Sequence, residues 1–169
     1  TGATNYVKIS GSSPSTQVYP SPDSAQLSNG VVSFSVTAKE DDDAQYFTAT
    51  TAGDVLTPSN TSQVPMRPGP YTKIQILMPG ETADPGTVSG RTGTPTAQTV
   101  GQNLSGVITI NITDDYWNRK NIGSNTGIDI TTTDGTATIT DQNGGTFGDV
   151  TVSAGTSQVT LPASAFKFG

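Results

Sequence analysis

"GVITINITDDYWN", residues 106–118, alternates apolar and polar side chains through its first eight positions and then breaks into an acidic, aromatic corner. Successive Cβ atoms of an extended chain point to opposite sides, so Ile108, Ile110 and Ile112 share one face. Val107, Thr109, Asn111 and Thr113 share the other. The same period of two recurs elsewhere. In VVSFSVTA (31–38), Val32, Phe34, Val36 and Ala38 point in while Ser33, Ser35 and Thr37 point out. Ile74 pairs with Ile76, Ile128 with Ile130, Val150 with Val152, and Val159 with Leu161 in four further runs. No stretch of ten residues carries the i, i+3, i+4, i+7 spacing of an amphipathic helix. The expected fold class is all-β, with antiparallel sheets packed as sandwiches and one face of each strand in a core.

Composition agrees. Of 169 residues, 31% are hydrophobic and only 13% charged, the balance being largely Thr, Ser, Gly, Asn and Pro. Disordered chains are charge-rich and poor in β-branched residues, whereas Thr, Val and Ile suit a pleated, half-solvated surface. The net charge is −6 with 8 Lys plus Arg, too few for the basic patch that nucleic acid or an anionic membrane surface requires. The longest apolar runs are a few residues, so no helical membrane span is expected. The opening TGATNYVK has no basic and apolar leader, and the chain is read as processed or as an excerpt. Its acidic, Lys-poor, Thr/Ser/Asn-rich surface leans extracellular.

Turn signals divide the strands at the spacing of sandwich folds: Ser28-Asn29-Gly30, Asp134-Gly135 and Asn143-Gly144-Gly145. In Arg67-Pro68-Gly69-Pro70, two prolines around a glycine cannot continue a central strand. A domain boundary is expected there, giving domains 1–69 and 70–169. The first offers about five strands: Tyr6–Ser10, Thr16–Tyr19, Val31–Ala38, Gln45–Thr50 and Gln63–Arg67. Residues 25–50 and 140–163 echo each other as turn, Asn-Gly, strand, polar turn, strand, a weak internal repeat.

Residues 79–102, PGETADPGTVSGRTGTPTAQTVGQ, hold almost no large apolar side chain. With the strand before them, the TDDYWN corner (113–118) and GIDITTTDGTATI (127–139), they resemble bacterial Ig-like repeats of large secreted or surface proteins. The similarity covers about residues 71–140, and its more specific motifs are Pro79-Gly80-Glu81-Thr82 and Asp114 to Asn118. It implies tandem Ig-like β-sandwiches, the first incomplete because it lacks its first two strands against the usual seven or so. It also makes 79–102 an ordered connection between sheets, in which glycines bend, prolines pre-set φ and threonines bond back to the backbone. Trp117 becomes a structural corner residue. The function so implied is adhesion or scaffolding with other copies or repeats of the same protein, not catalysis.

Side-chain chemistry points the same way. With no Cys and no His, thiolate catalysis, disulfides and the commonest general base are excluded. Paired carboxylates remain the one enzymatic option, from Glu40, Asp41, Asp42, Asp43, Glu81, Asp84, Asp114, Asp115 and Asp129. Most fall in expected turns, and no motif pairs them across a cleft. The acidic runs at 40–43 and 114–115 also suggest hard-cation ligation. If the Ig-like strand order holds, they meet at the domain junction, making Asp41, Asp42, Asp43, Asp114 and Asp115 candidate Ca²⁺ ligands. Tyr116 and Trp117 form a candidate aromatic platform for a surface polysaccharide, the alternative function. A first sandwich short of strands leaves an apolar groove lined by Val32, Phe34, Val36 and Phe47, open to strand addition that would also polymerise the chain into a surface filament. The expected donors are the N-terminal TGATNYVKIS or the C-terminal LPASAFKFG, in which Phe166 and Phe168 share a face.

Overall fold

A computed structural model describes residues 6–19, 24–52, 57–139 and 150–167. Among these the chain is all-β. Every strand pairing is antiparallel, no α-helix occurs, and a single 3₁₀ turn spans Ala163–Ala165. Two compact units, Thr1–Arg67 and Pro68–Gly169, divide within the Arg67–Pro70 segment.

The first unit contains β1 (Tyr6–Gly11), β2 (Gln17–Tyr19), β3 (Ser24–Gln26), β4 (Ser35–Thr37), β5 (Phe47–Ala52) and β6 (Ser59–Asn60). One sheet runs β3-β1-β5-β6, with β1 matched to β5 from Tyr6↔Ala52 to Gly11↔Phe47, and β2 pairs with β4. The Asn-Gly turn forms as expected. Asn29 (φ 51°) and Gly30 (φ 81°) both sit at positive φ while Ser28 and Val31 exchange hydrogen bonds of 2.9 and 3.0 Å, the geometry of a tight hairpin turn. The alternation of 31–38 also holds, with Val32, Phe34, Val36 and Ala38 half-buried and the intervening polar residues exposed. The strand expected over Val31–Ala38 is confined to Ser35–Thr37, and β3 and β6 lie outside the expected strands. Gln63–Arg67 forms only a single bridge, Gln45↔Val64, because Pro65 has no N–H to extend the ladder. β3, a three-residue partner of β1, is too short to show a period.

The second unit contains β7 (Lys73–Leu77), β8 (Glu81–Ala83), β9 (Arg91–Gly93), β10 (Ile108–Thr113), β11 (Thr126–Ile128), β12 (Thr138–Ile139), β13 (Val150–Val152), β14 (Gln158–Leu161) and β15 (Phe166–Lys167). β10 is the middle strand of β14-β10-β7. Its Ile108, Ile110 and Ile112 meet Leu161, Val152, Val150, Ile128, Ile122 and Phe166 in one apolar cluster, which the pairs β11–β13 and β12–β15 help to build. The expected turn at Asp134 forms, its carboxylate accepting from the Thr136 N–H (3.0 Å). Asn143-Gly144-Gly145 lies outside the described residues.

Two features depart from one-face-in strands. On β7, Ile74 and Ile76 are 51% and 42% exposed, while Gln75 and Leu77 are buried. β7 is an edge strand that pairs only with β10 among the described residues, so its isoleucines overhang the margin of the core. On β10, Asn111 and Thr113 are as fully buried as the isoleucines. The face read as solvent-facing is covered.

Candidate functional site

The cover on that second face is the Gly/Pro/Thr-rich connection. β8 and β9 pair through Glu81↔Gly93, Thr82↔Thr92 and Ala83↔Arg91, and Thr96 N–H donates to Pro79 C=O at 2.7 Å. Gly80 makes this closure possible: its φ is +93°, and a Cβ there would stand 2.5 Å from the Thr94 carbonyl. Residues 79–96 are therefore tied together by their own bonds.

Beneath the connection runs a row of amides. Gln158 Nε2 donates to Asn111 Oδ1 (2.8 Å), Asn111 Nδ2 to Gln75 Oε1 (2.7 Å), and Gln75 Nε2 to the Gly90 carbonyl (2.6 Å). Asn111 stands directly opposite both Gln158 and Gln75 in the ladder, which lets short amides reach across three strands. Gln75 and Asn111 are buried, and such groups are tolerated in an interior only when paired; Gln158, at the exposed end of the row, completes the pairing of Asn111. The Gly90 carbonyl also accepts from Asp84 N–H (2.7 Å), so both its lone pairs are used.

The acidic corner closes the end of β10. Asp114 Oδ1 accepts from the backbone N–H of Tyr116 (2.8 Å) and Asn118 (3.0 Å), and Oδ2 from the Gly69 N–H (2.9 Å). The Asn118 amide donates to both oxygens, at 3.3 and 3.0 Å. Burial alone would raise the Asp114 pKa. The hydrogen bonds from the Asn118 side chain and from the Gly69, Tyr116 and Asn118 amides outweigh it and hold the carboxyl below its ordinary value. Its acceptor sites are occupied, so Asp114 is committed to shaping the corner.

That grip keeps Trp117 at φ 69°, a left-handed conformation that costs a bulky residue roughly 1–2 kcal/mol. Its indole lies against Gly90, where a Cβ would stand 2.2 Å from the ring, and its Nε1–H donates to Val88 C=O (3.2 Å). Lys73 Nζ sits 4.5 Å from the ring centroid, a cation–π contact. Gly86 N–H donates to Tyr116 C=O (2.8 Å). Corner and connection are thus one assembly. Trp117 is half-buried rather than enclosed, and Tyr116 is 40% exposed. Beside the indole, Gln75, Ser89, Arg91 and the β7 isoleucines line an open groove of about 420 Å³.

The remaining candidates are dispersed. Asp115 accepts from Thr72 Oγ1 (2.7 Å). In the first unit, Asp42 Oδ1 accepts from Ala44 N–H (2.9 Å), Asp43 is ion-paired to Arg67, and Asp41 is exposed. Among the described residues, no three carboxylates gather as a metal ion needs. Glu40 accepts from Ser13 and Ser15, Glu81 faces Arg91 (3.4 Å), and Asp129 is exposed. Phe166 is buried in its own unit opposite Ile139, whereas Phe168 lies outside the described residues. Sequence reasoning missed Gln75, Asn111 and Gln158. For Gln75 and Asn111 the signal is a lone amide set between isoleucines in each strand; Gln158 carries no such signal.

Compared with protein-family models, curated proteins and solved structures, the chain matches none.

Proposed function

We propose that the chain is a non-catalytic structural or adhesive module of an extracellular or cell-surface protein. In this reading it comprises tandem Ig-like sandwiches, of which the first is completed by a strand from another copy or repeat of the same protein. One observation carries the reading. In the first unit no described apolar side chain is fully buried, and Val32, Phe34, Val36 and Phe47 remain half-covered. A sheet that cannot close its own apolar face is disposed to accept a strand. The terminal segments first considered as donors are both engaged: β1 lies between β3 and β5, and Phe166 is in the core of the second unit. The donor strand therefore comes from elsewhere in a neighbouring copy, or a terminal segment leaves its own sheet to serve.

Sedimentation combined with amide exchange tests this. The expected monomer exchanges its first-unit amides faster than those of the second, and assembly slows them. A monomer in which both units exchange equally slowly would overturn it.

The open groove beside the half-buried Trp117 favours one second reading, binding of a surface polysaccharide. Polysaccharide pull-down lost on Trp117→Ala, with the fold retained, would establish that alternative. The ring already carries Gly90 and Lys73, which leaves less of its face for a sugar.

A further inference from the structure

The leading end of the second unit is held by side-chain contacts as well as by its ladder. β7 is its first strand, pairs only with β10 among the described residues, and leaves both isoleucines half-exposed. Ahead of that ladder, five contacts converge on residues 69–73 from one corner. Gly69 N–H donates to Asp114 Oδ2 (2.9 Å), and Thr72 N–H to Thr113 C=O (2.8 Å). Thr72 Oγ1 donates to Asp115 Oδ1 (2.7 Å), and Lys73 Nζ to Asp115 C=O (2.6 Å). Lys73 also sits over the Trp117 ring at 4.5 Å. Several of these involve an ionised group, the stronger kind of hydrogen bond. The corner that supplies them is itself fastened, through Tyr116 to Gly86 and through Trp117 to Val88.

We propose that this corner is a force clamp. Tension carried along the backbone through Arg67–Pro70 reaches the unit at Gly69, and the Asp114, Asp115 and Trp117 contacts meet it before the β7 ladder is loaded. Because they all end on one fastened corner, they share the load instead of failing singly. The left-handed Trp117 then has a use: it brings the indole to the Lys73 ammonium, and backbone strain is retained where the surroundings enforce it. The inference rests on the structural or adhesive surface-module reading above.

Single-molecule stretching of the full chain tests it in two geometries. Handles at the chain ends send force through residues 67–70. Handles on cysteines replacing the exposed Ser124 and Thr160 bypass them, and the chain has no other cysteine. Under end-to-end load at fixed force, Asp114→Ala is expected to shorten the lifetime of the second unit about tenfold, since a hydrogen bond to a charged group contributes on that scale. Thr72→Val, at an exposed side chain, shortens it severalfold and decides the matter alone if Asp114→Ala does not fold. In the bypass geometry both effects shrink. Equal shortening in the two geometries, or none in either, overturns the clamp. Stretching uses the isolated chain, so the clamp can fail while the strand-completion reading stands. The exchange comparison can equally fail while the clamp stands.

Discussion

The two units are built from the same alternating strands, yet they retain their shape by different means. In the second, β10 buries both faces, one against isoleucines, valines and leucines and the other against a row of amides beneath the 79–102 connection. In the first, β1 and β5 pair over six positions, but Val32, Phe34, Val36, Ala38 and Phe47 stay half-covered, and the buried described side chains are Ser13 and Gln45. Gln45 Oε1 has no hydrogen-bond partner there, a cost the second unit avoids in its amide row. Backbone pairing alone does not make a core. A second layer does, and in the second unit part of that layer is a loop.

The comparison breaks most visibly in the cores. Ile110→Ala, at a wholly buried position in the middle of β10, is expected to cost about 3–4 kcal/mol in the second unit. Val36→Ala, half-buried in the first, should cost about 1 kcal/mol or less, because little cavity is made. The chain's single tryptophan lies in the second unit, so urea unfolding followed by Trp117 fluorescence reports that unit, and amide exchange reports the other. Comparable losses at the two sites would show that the first unit has a core after all.

Next in size is the amide row. Asn111→Ala leaves the buried Gln75 Oε1 without its donor, while the exposed Gln158 can turn to water, and burying an unpaired polar group costs about 1–3 kcal/mol. Replacing Gln75 and Asn111 together with leucine removes both ends of one link and should cost less than the sum of the single changes. A strictly additive double-mutant cycle would mean that the amides do not act as a row.

Acid exposes the corner. The Asp114 carboxyl is held below its ordinary value in the folded chain, so its contribution is fully present above the unfolded value, near pH 4, and fades as pH falls through the folded value. Asp114→Asn should lower stability at neutral pH by about 1–2 kcal/mol and flatten the loss below pH 4. Thermal melts of both forms from pH 7 to pH 2 check this. Parallel curves would remove Asp114 from the acid response.

What the sequence reveals follows from the range of each interaction. Strand existence is local: the periods at 108–112, 150–152 and 159–161 end in buried Ile, Val and Leu, and the Asn29-Gly30 turn forms as its residues require. The Asp114–Asn118 corner is local too, since Asp114 caps amides two and four residues ahead. What covers a face is not local. Nothing in KIQIL tells that Gln75 will be buried while its flanking isoleucines overhang, because that depends on Gly90, fifteen residues along, and on β7 standing at an edge. The expectation that acidic runs bind calcium fails to anticipate the donors each carboxylate finds nearby: Gly69 and Asn118 for Asp114, Ala44 for Asp42, Arg67 for Asp43.

The smallest effect belongs to that last pair. Arg67 and Asp43 are largely exposed, 64% and 76% at the side chains, and water screens such an ion pair to about 0–1 kcal/mol. Asp43→Asn should therefore shift first-unit stability by about 0.5 kcal/mol or less, shrinking further as salt is raised. The measurement is worth making with and without millimolar calcium. Asp42 already accepts the Ala44 amide and Asp43 already faces a guanidinium, so a metal ion would compete with both donors for these carboxylates. The expected cost is thus the same in either buffer. If Asp43→Asn became markedly destabilising only in calcium, the acidic turn would bind the ion by rearranging. The first unit would then owe its stability to a ligand where the second owes it to a core.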